Sequence, residues 1–374
     1  MRIVVNAALL PEIYSREYIS FLSEAFRRIT KNHPEETFIF ICENQDAHLF
    51  VYENKAEIIK VRARKRNFIL WKYWYDIRIP ALLKKYKADL FVSPGLFGSL
   101  NTNLPQCLIA TGVDFSSPPL FFTKSQLLFF KRRTQKSIAT AKKIITFSAF
   151  AKTDLNKRFK NAENKTNAIP LIIPENNESP TDLLKNEIKI KYTAGKEFFL
   201  YAGSIHPSGN LITLLKAFSL FKKRQQSNLK LVICGNGLNS YKTFSRLLET
   251  YKYKADIIVI NHCSHDELSK LMLSAYAFVY PVLSNSLFTS VLQAMQSELA
   301  VIVSDNPMLN EMVKDSALYV KPENPQDIAE GMMRIYKDEK LRTELIEKGK
   351  VVLTHLRQQD AAEQLWQVMQ EGLL

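Results

Sequence analysis

Phe199-Leu200-Tyr201-Ala202-Gly203-Ser204-Ile205-His206-Pro207-Ser208-Gly209-Asn210-Leu211, continuing as Ile212-Thr213-Leu214-Leu215-Lys216-Ala217-Phe218-Ser219-Leu220-Phe221-Lys222-Lys223, decides the reading of this 374-residue chain. An apolar run stops at a glycine and a short polar loop follows. Leu211, Leu214, Leu215, Phe218 and Phe221 then recur at helical spacing. The pattern predicts a strand, a loop and a helix. A helix N-terminus presents unpaired N–H groups and the positive end of the helix dipole, which suits a phosphate. The loop itself carries no Lys or Arg.

Working outward, short apolar strands alternate with amphipathic helices on both sides of this unit. Strands are expected at residues 2–7, 37–42, 58–61, 88–93, 106–110 and 143–147, and after the loop unit at 230–234, 257–260, 277–280, 300–303 and 317–320. Helices are expected between them and over 327–337, 339–352 and 360–370. Such alternation predicts an α/β fold class with two doubly wound parallel sheets, and sheets of that kind bind ligands beyond their carboxyl strand ends. Residues 160–195 break the pattern, because Asn161, Asn164, Asn167, Pro170, Pro174, Asn176, Asn177 and Pro180 crowd there. They read as a connector. The expected division is 1–165, a linker region 166–195, a second domain 196–355, and a C-terminal helix 356–374.

Composition narrows the partners. The chain carries a formal net charge of +14. Residues 1–170 hold 28 Lys and Arg against 14 Asp and Glu, whereas residues 171–374 hold 23 of each. All the excess is therefore in the first half, concentrated at 60–66 and along 124–143, where Lys131, Arg132, Arg133 and Lys136 follow Leu127, Leu128, Phe129 and Phe130. A basic face beside apolar residues suggests an anionic membrane surface or an acidic polymer, against the alternative of a solvated basic surface. No nucleic acid is expected, since no helix-turn-helix, zinc-finger or RNP pattern accompanies the charge. Trp71, Tyr73, Trp74 and Tyr75 read as a core-facing aromatic stripe before they read as a sugar platform. Cys42, Cys107, Cys234 and Cys263 form no C-x-x-C pair and sit in or beside apolar runs, so buried free thiols in a reducing cytoplasm are expected. No segment approaches the ~20 apolar residues of a membrane span, and the N-terminus reads as a buried strand, not a signal peptide. His262 and His265 flank Cys263, but no metal is expected there.

The second half resembles the donor domain of retaining GT-B glycosyltransferases of family four. The likeness is carried by Tyr201-Ala202-Gly203-Ser204-Ile205-His206-Pro207 with Asn210-Leu211, by Lys230–Gly235, by His265-Asp266-Glu267-Leu268, by 275–281, by Val291-Leu292-Gln293-Ala294-Met295, and by 300–305 and 315–320. The first half fits at Met1–Asn6, His33-Pro34, 85–94 and 145–152. The resemblance implies GT-B architecture: two Rossmann-like domains facing a cleft, with the C-terminal helix crossing back to the N-terminal domain. It implies transfer of a hexose from a nucleotide sugar such as a UDP- or GDP-hexose, with retention and without a cofactor, to a polysaccharide or lipid-linked glycan acceptor. A cytoplasmic protein, peripheral on the inner membrane face, follows from the same likeness. The donor-binding positions it marks are Gly203, Ser204, His206, Ser208, Gly209, Asn210, His262, Cys263, Ser286, Leu287, Phe288 and Gln293. Asn285 stands at the catalytic position, with Asp114 on the acceptor side.

Several of these positions depart from the family pattern. A basic pair in the donor loop is replaced by Ser208 and Gly209, and the two glutamates with seven residues between them are replaced by Asn285 and Gln293. A His-Asp pair becomes Val113-Asp114. Backbone N–H groups, including those of Gly209 and Asn210, are then expected to take the phosphates, with amides in place of carboxylates on the sugar and ribose. The alternative is a catalytically impaired pseudo-glycosyltransferase that binds a glycan, a nucleotide or a partner enzyme as a scaffold.

Overall fold

The computed structural model describes residues 1–8, 15–52, 56–62, 68–110, 124–173, 181–238, 241–261, 263–283 and 287–373, with backbone alone for 15–18, 68–69 and 124–127. Two compact units emerge, Met1–Ile172 with Leu356–Leu374, and Ile173–Ser284 with Phe288–His355.

The first unit is built on a seven-stranded sheet in which every pairing is parallel. Its strands are β1 (Arg2–Ala7), β2 (Thr37–Glu43), β3 (Ala56–Val61), β4 (Leu90–Pro94), β5 (Gln106–Ile109), β6 (Lys143–Thr146) and β7 (Thr166–Ala168), in the order β3-β2-β1-β4-β5-β6-β7. The helices are α1 (Ser15–Asn32), α2 (Phe68–Tyr73), α3 (Ile79–Lys85), α4 (Lys124–Thr140) and α5 (Ala149–Arg158). Near-continuous apolar strands such as Ile3-Val4-Val5 are buried on both faces, as a sheet covered by helices requires. The helical stretch between β3 and β4 is interrupted: Trp74–Arg78 widens into a π-turn between α2 and α3, next to Pro80, which has no N–H to donate. The aromatic stripe is core, with Trp71, Trp74 and Tyr75 buried and only Tyr73 exposed.

The second unit has a six-stranded parallel sheet in the order β10-β9-β8-β11-β12-β13. Here β8 is Phe198–Ala202, β9 Lys230–Gly235, β10 Ile257–Asn261, β11 Ala277–Tyr280, β12 Val301–Ser304 and β13 Ala317–Val320. The strands run outward from β8 in one direction through β9 and β10, and in the other through β11 to β13. The order therefore reverses between β8 and β11, where doubly wound sheets open a ligand crevice. Its helices are α6 (Asp182–Thr193), α7 (Leu211–Gln225), α8 (Lys242–Glu249), α9 (His265–Ser274), α10 (Thr289–Gln296), α11 (Pro307–Val313), α12 (Pro325–Lys337) and α13 (Glu339–Gln358).

The stretch read as a connector is more structured than its composition suggests. Thr166–Ala168 is the last strand of the first sheet, and α6 is a twelve-residue helix whose N-cap Thr181 accepts from the Leu184 N–H. Its contact with α9 is closed by Tyr192, which donates to Glu267. The C-terminal helix α14 (Ala361–Glu371) belongs to the first unit, as the resemblance implied. His33 stacks on Trp366 at 4.3 Å and meets Glu363 at 3.0 Å, while Lys143 pairs with Glu371 at 2.6 Å. All four cysteines are free and buried.

Candidate donor site at the switch point of the second sheet

The loop after β8 is held by its own polar groups. Leu211, Leu214, Leu215, Phe218 and Phe221 are all fully buried, each contributing roughly 1.5–3 kcal/mol relative to an exposed position, and this anchors α7 against the sheet. The loop must then cross the end of β8 in a few residues. It does so in a short 3₁₀ turn over Pro207–Gly209, entered through His206. The Ser208 N–H donates to His206 Nδ1 at 3.4 Å, and Ser208 Oγ lies 3.0 Å from the same nitrogen. Because Nδ1 accepts, the ring proton sits on Nε2. Burial pushes the His206 pKa down to about 4, so the ring is neutral at physiological pH.

The expectation that the Gly209 and Asn210 N–H groups receive phosphate is not met. Gly209 donates to the His206 carbonyl at 2.9 Å and Asn210 to the Pro207 carbonyl at 3.1 Å. A tight turn satisfies its own donors, so they are not offered outward. Asn210 is a clip as well as a helix start: its amide donates to the Pro281 carbonyl at 2.8 Å and to that of Pro322. The Leu283 N–H donates to the Ser208 carbonyl at 3.0 Å. Three loops, after β8, β11 and β13, are tied together in this way. With the Asn210 side chain committed elsewhere, α7 has no side-chain cap. Its first-turn donors, the N–H groups of Leu211, Ile212 and Thr213, have no acceptor within the helix.

Tyr201 explains the glycines. Its hydroxyl donates to the Ser204 carbonyl at 3.0 Å, and its ring stacks on Tyr280 at 5.8 Å. A Cβ on Gly209 would lie 2.3 Å from that hydroxyl and 2.6 Å from the Ser204 carbonyl oxygen, so no side chain fits there without moving backbone. Gly235 is as constrained, since a Cβ would come within 1.8 Å of the Gly203 carbonyl oxygen. Ser204 and Gly203 are half-buried in this cradle.

The other side of the crevice is the start of α10. Phe288 precedes it at φ +53°, a left-handed conformation that is costly for a bulky residue. Its ring is buried edge-on to Tyr280 at 6.4 Å, and Leu287 is buried beside it in sequence. Gln293 lies on the second turn of α10, half-buried, and its side-chain amide makes no hydrogen bond among the described residues. Cys263 is buried and reaches the Glu267 carboxylate, which Tyr192 and Cys263 hold below its ordinary pKa. Its place is at the α6–α9 contact, and Ser264 caps α9 by accepting from the Glu267 N–H at 3.1 Å. Asn285, Ser286, His262 and Asp114 lie outside the described residues.

Two acceptors escaped the sequence reading. Asn236 Oδ1 and Asn261 Oδ1, at the carboxyl ends of β9 and β10, are buried with no hydrogen-bond partner among the described residues. Gly235 and Asn261 are register partners, so the two asparagines belong to one corner of the sheet edge. Unsatisfied buried acceptors are uncommon enough to require an explanation. The signal was present in Gly235-Asn236-Gly237, but a glycine-flanked asparagine reads as a turn. No group of three metal-ligating side chains occurs among the described residues.

A neutral loop, a helix N-terminus and paired amides thus meet at the switch point, where doubly wound sheets place their ligands. Residues 185–352 match the profile of the family described as glycosyl transferases group 1. Those residues are a glycosyl transferases group 1 domain. The chain is 24% identical over 265 residues to the O-antigen chain mannosyltransferase RfbU of Salmonella typhimurium, covering 70% of this chain and 69% of that protein. Among solved structures it resembles a sucrose-phosphate synthase from Thermosynechococcus elongatus, with a TM-score of 0.75 at 16% identity over 99% of this chain and 98% of the other. A similar likeness, TM-score 0.75 at 10% identity over 99% of both chains, holds for HepE of Anabaena, solved in complex with UDP and glucose. The fold is GT-B, and the group 1 domain carries the loop unit at its first strand. No helix among the described residues is long and apolar enough to cross a membrane.

Proposed function

We propose that this glycosyl transferases group 1 protein transfers a hexose, with mannose the first candidate, from a nucleotide sugar to a polysaccharide or lipid-linked acceptor in the cytoplasm, with retention. The observation that carries the reading is the frame at the β8–β11 switch point inside the family domain. The α7 N-terminus, with Leu211, Ile212 and Thr213 donors uncapped, is the phosphate seat. Asn236 and Asn261 supply two acceptors for N–H groups of the base, and Gln293 supplies an amide for ribose hydroxyls.

The chemistry follows from what the loop lacks. No cationic side chain stands on Gly203–Asn210 to neutralise the departing diphosphate. Losing one charge-assisted contact of this kind costs roughly 3–4 kcal/mol, or 10²–10³ in rate. The helix dipole recovers part of that, about 0.3–1 kcal/mol at an exposed terminus and up to ~2 when partly buried. Slow turnover with retained binding is therefore the expected regime. The scaffold alternative draws nothing from RfbU, whose name is that of a transferase.

The direct test is release of nucleoside diphosphate from GDP- and UDP-hexoses in the presence of lipid-linked oligosaccharide acceptors. Acceptor-dependent release from one donor is expected. Binding of a donor without any release across the acceptor panel would point to the scaffold instead.

A further inference from the structure

Residues 58–153 hold 18 Lys and Arg against three acids, Asp76, Asp89 and Asp114. Two of those acids are occupied inside the first unit. Asp76 pairs with Arg133 at 2.7 Å, both side chains no more than 10% exposed, and Asp89 accepts from the Arg2 N–H at 2.7 Å. Seven basic side chains of the helical segments are turned outward. Lys72, Arg78, Lys84 and Lys85 are exposed along α2, the π-turn and α3, and Lys131, Arg132 and Lys136 along α4, which contains no acidic residue.

The two helical segments lie side by side. Trp71 meets Phe130 edge-on at 5.3 Å, and the Asp76–Arg133 pair joins the π-turn to α4. Arg133 also donates to the Gly98 carbonyl at 2.6 Å, so the junction is rigid. Apolar side chains are interspersed on this basic surface: Tyr73 is 42% exposed, Ile77 58% and Leu128 49%. Leu128, Arg132 and Gln135 share the outer row of α4 with Lys131 and Lys136 beside them, three and four residues apart.

We propose that the face formed by α4 and the α2–α3 segment docks on the surface of an anionic lipid bilayer. Each Lys or Arg near such a surface strengthens attachment several-fold. The exposed apolar groups decide between a bilayer and an acidic polymer. A polymer leaves Leu128, Ile77 and Tyr73 in water, whereas the headgroup boundary takes them in. This assignment stands on the first unit alone and does not depend on the donor site.

Sedimentation of the full chain with vesicles of equal phosphatidylglycerol and phosphatidylcholine, against phosphatidylcholine alone, tests it. Binding at least tenfold stronger to the mixed vesicles is expected, with release in 0.5 M NaCl. Lys131→Glu with Arg132→Glu should lower that binding tenfold or more. Leu128→Ser with Ile77→Ser should lower it several-fold while leaving heparin binding unchanged. These side chains are exposed, so thermal unfolding of the variants should match the parent. As an independent readout, Leu128→Trp should add fluorescence that shifts to the blue on the mixed vesicles. Equal binding to both vesicle types overturns the proposal, as does unchanged vesicle binding of the Leu128/Ile77 variant, which would identify an acidic polymer as the partner.

Discussion

The loop after β8 and the start of α10 border the same switch point but use their polar groups in opposite ways. In the loop, His206, Ser208, Gly209 and Asn210 all direct donors or acceptors into the protein, and the Asn210 amide reaches the loops after both β11 and β13. On α10, the Gln293 side chain is left without a hydrogen-bond partner among the described residues. The contrast separates two roles. In the proposed function the loop supplies shape and the uncapped α7 terminus, and α10 supplies a side chain for recognition. Substitutions in the loop should therefore damage stability and binding together, and substitutions on α10 should touch binding alone.

The largest effect is expected at Gly209. Gly209→Lys, which would return a basic residue to the position where the family carries one, should abolish donor binding instead of improving it. Its Cβ meets the Ser204 carbonyl and the Tyr201 hydroxyl, and the strain should cost about 1–3 kcal/mol or more in thermal or urea unfolding. Tyr201→Phe removes the nearer of the two obstacles and should recover part of the loss for Gly209→Ala. A Gly209→Lys protein as stable as the parent would break the comparison. Next comes Asn210→Ala, which leaves the Pro281 and Pro322 carbonyls without their donor. A loss of ~1–3 kcal/mol is expected, seen as a fall in Tm of several degrees and accompanied by weaker donor binding.

Gln293→Ala should lower nucleotide affinity about five- to tenfold, the scale of one neutral hydrogen bond, with Tm unchanged. Any matching loss of stability would mean that Gln293 belongs to the frame. The smallest effect concerns pH. Unfolded His206 takes up a proton near its ordinary value of 6.5, but the folded ring resists protonation until about pH 4. Stability should be level in this respect above pH 6.5 and should decline as pH falls from 6.5 toward 4, because the unfolded state binds the proton first. His206→Gln should flatten part of that decline in denaturant titrations, and donor binding should show no His206 titration between pH 7 and 8.

How far the sequence carries differs between these same two places. The β8–α7 unit was legible because Leu211, Leu214, Leu215, Phe218 and Phe221 repeat at a period set by the helix itself. The destination of the loop's N–H groups was not, because a 3₁₀ turn is closed by backbone and leaves no residue pattern. Gly209 looked like a lost lysine and is a contact with Tyr201, eight residues earlier, that only the folded chain brings close. The helix α6 was hidden for a different reason: Asn and Pro on its approach outweighed a short amphipathic segment that buries Ile188 and Thr193. Asn236 and Asn261 are 25 positions apart, and their neighbourhood comes from parallel pairing of β9 and β10.

The central claim is that a donor site without a basic pair still holds a nucleotide sugar through helix N–H groups and neutral amides. Calorimetric titration of the full chain with a panel of UDP- and GDP-hexoses tests it most directly. Binding of at least one donor at micromolar to millimolar concentration is predicted, weakened by Asn236→Ala with Asn261→Ala. No heat with any member of the panel at millimolar concentration would contradict the claim.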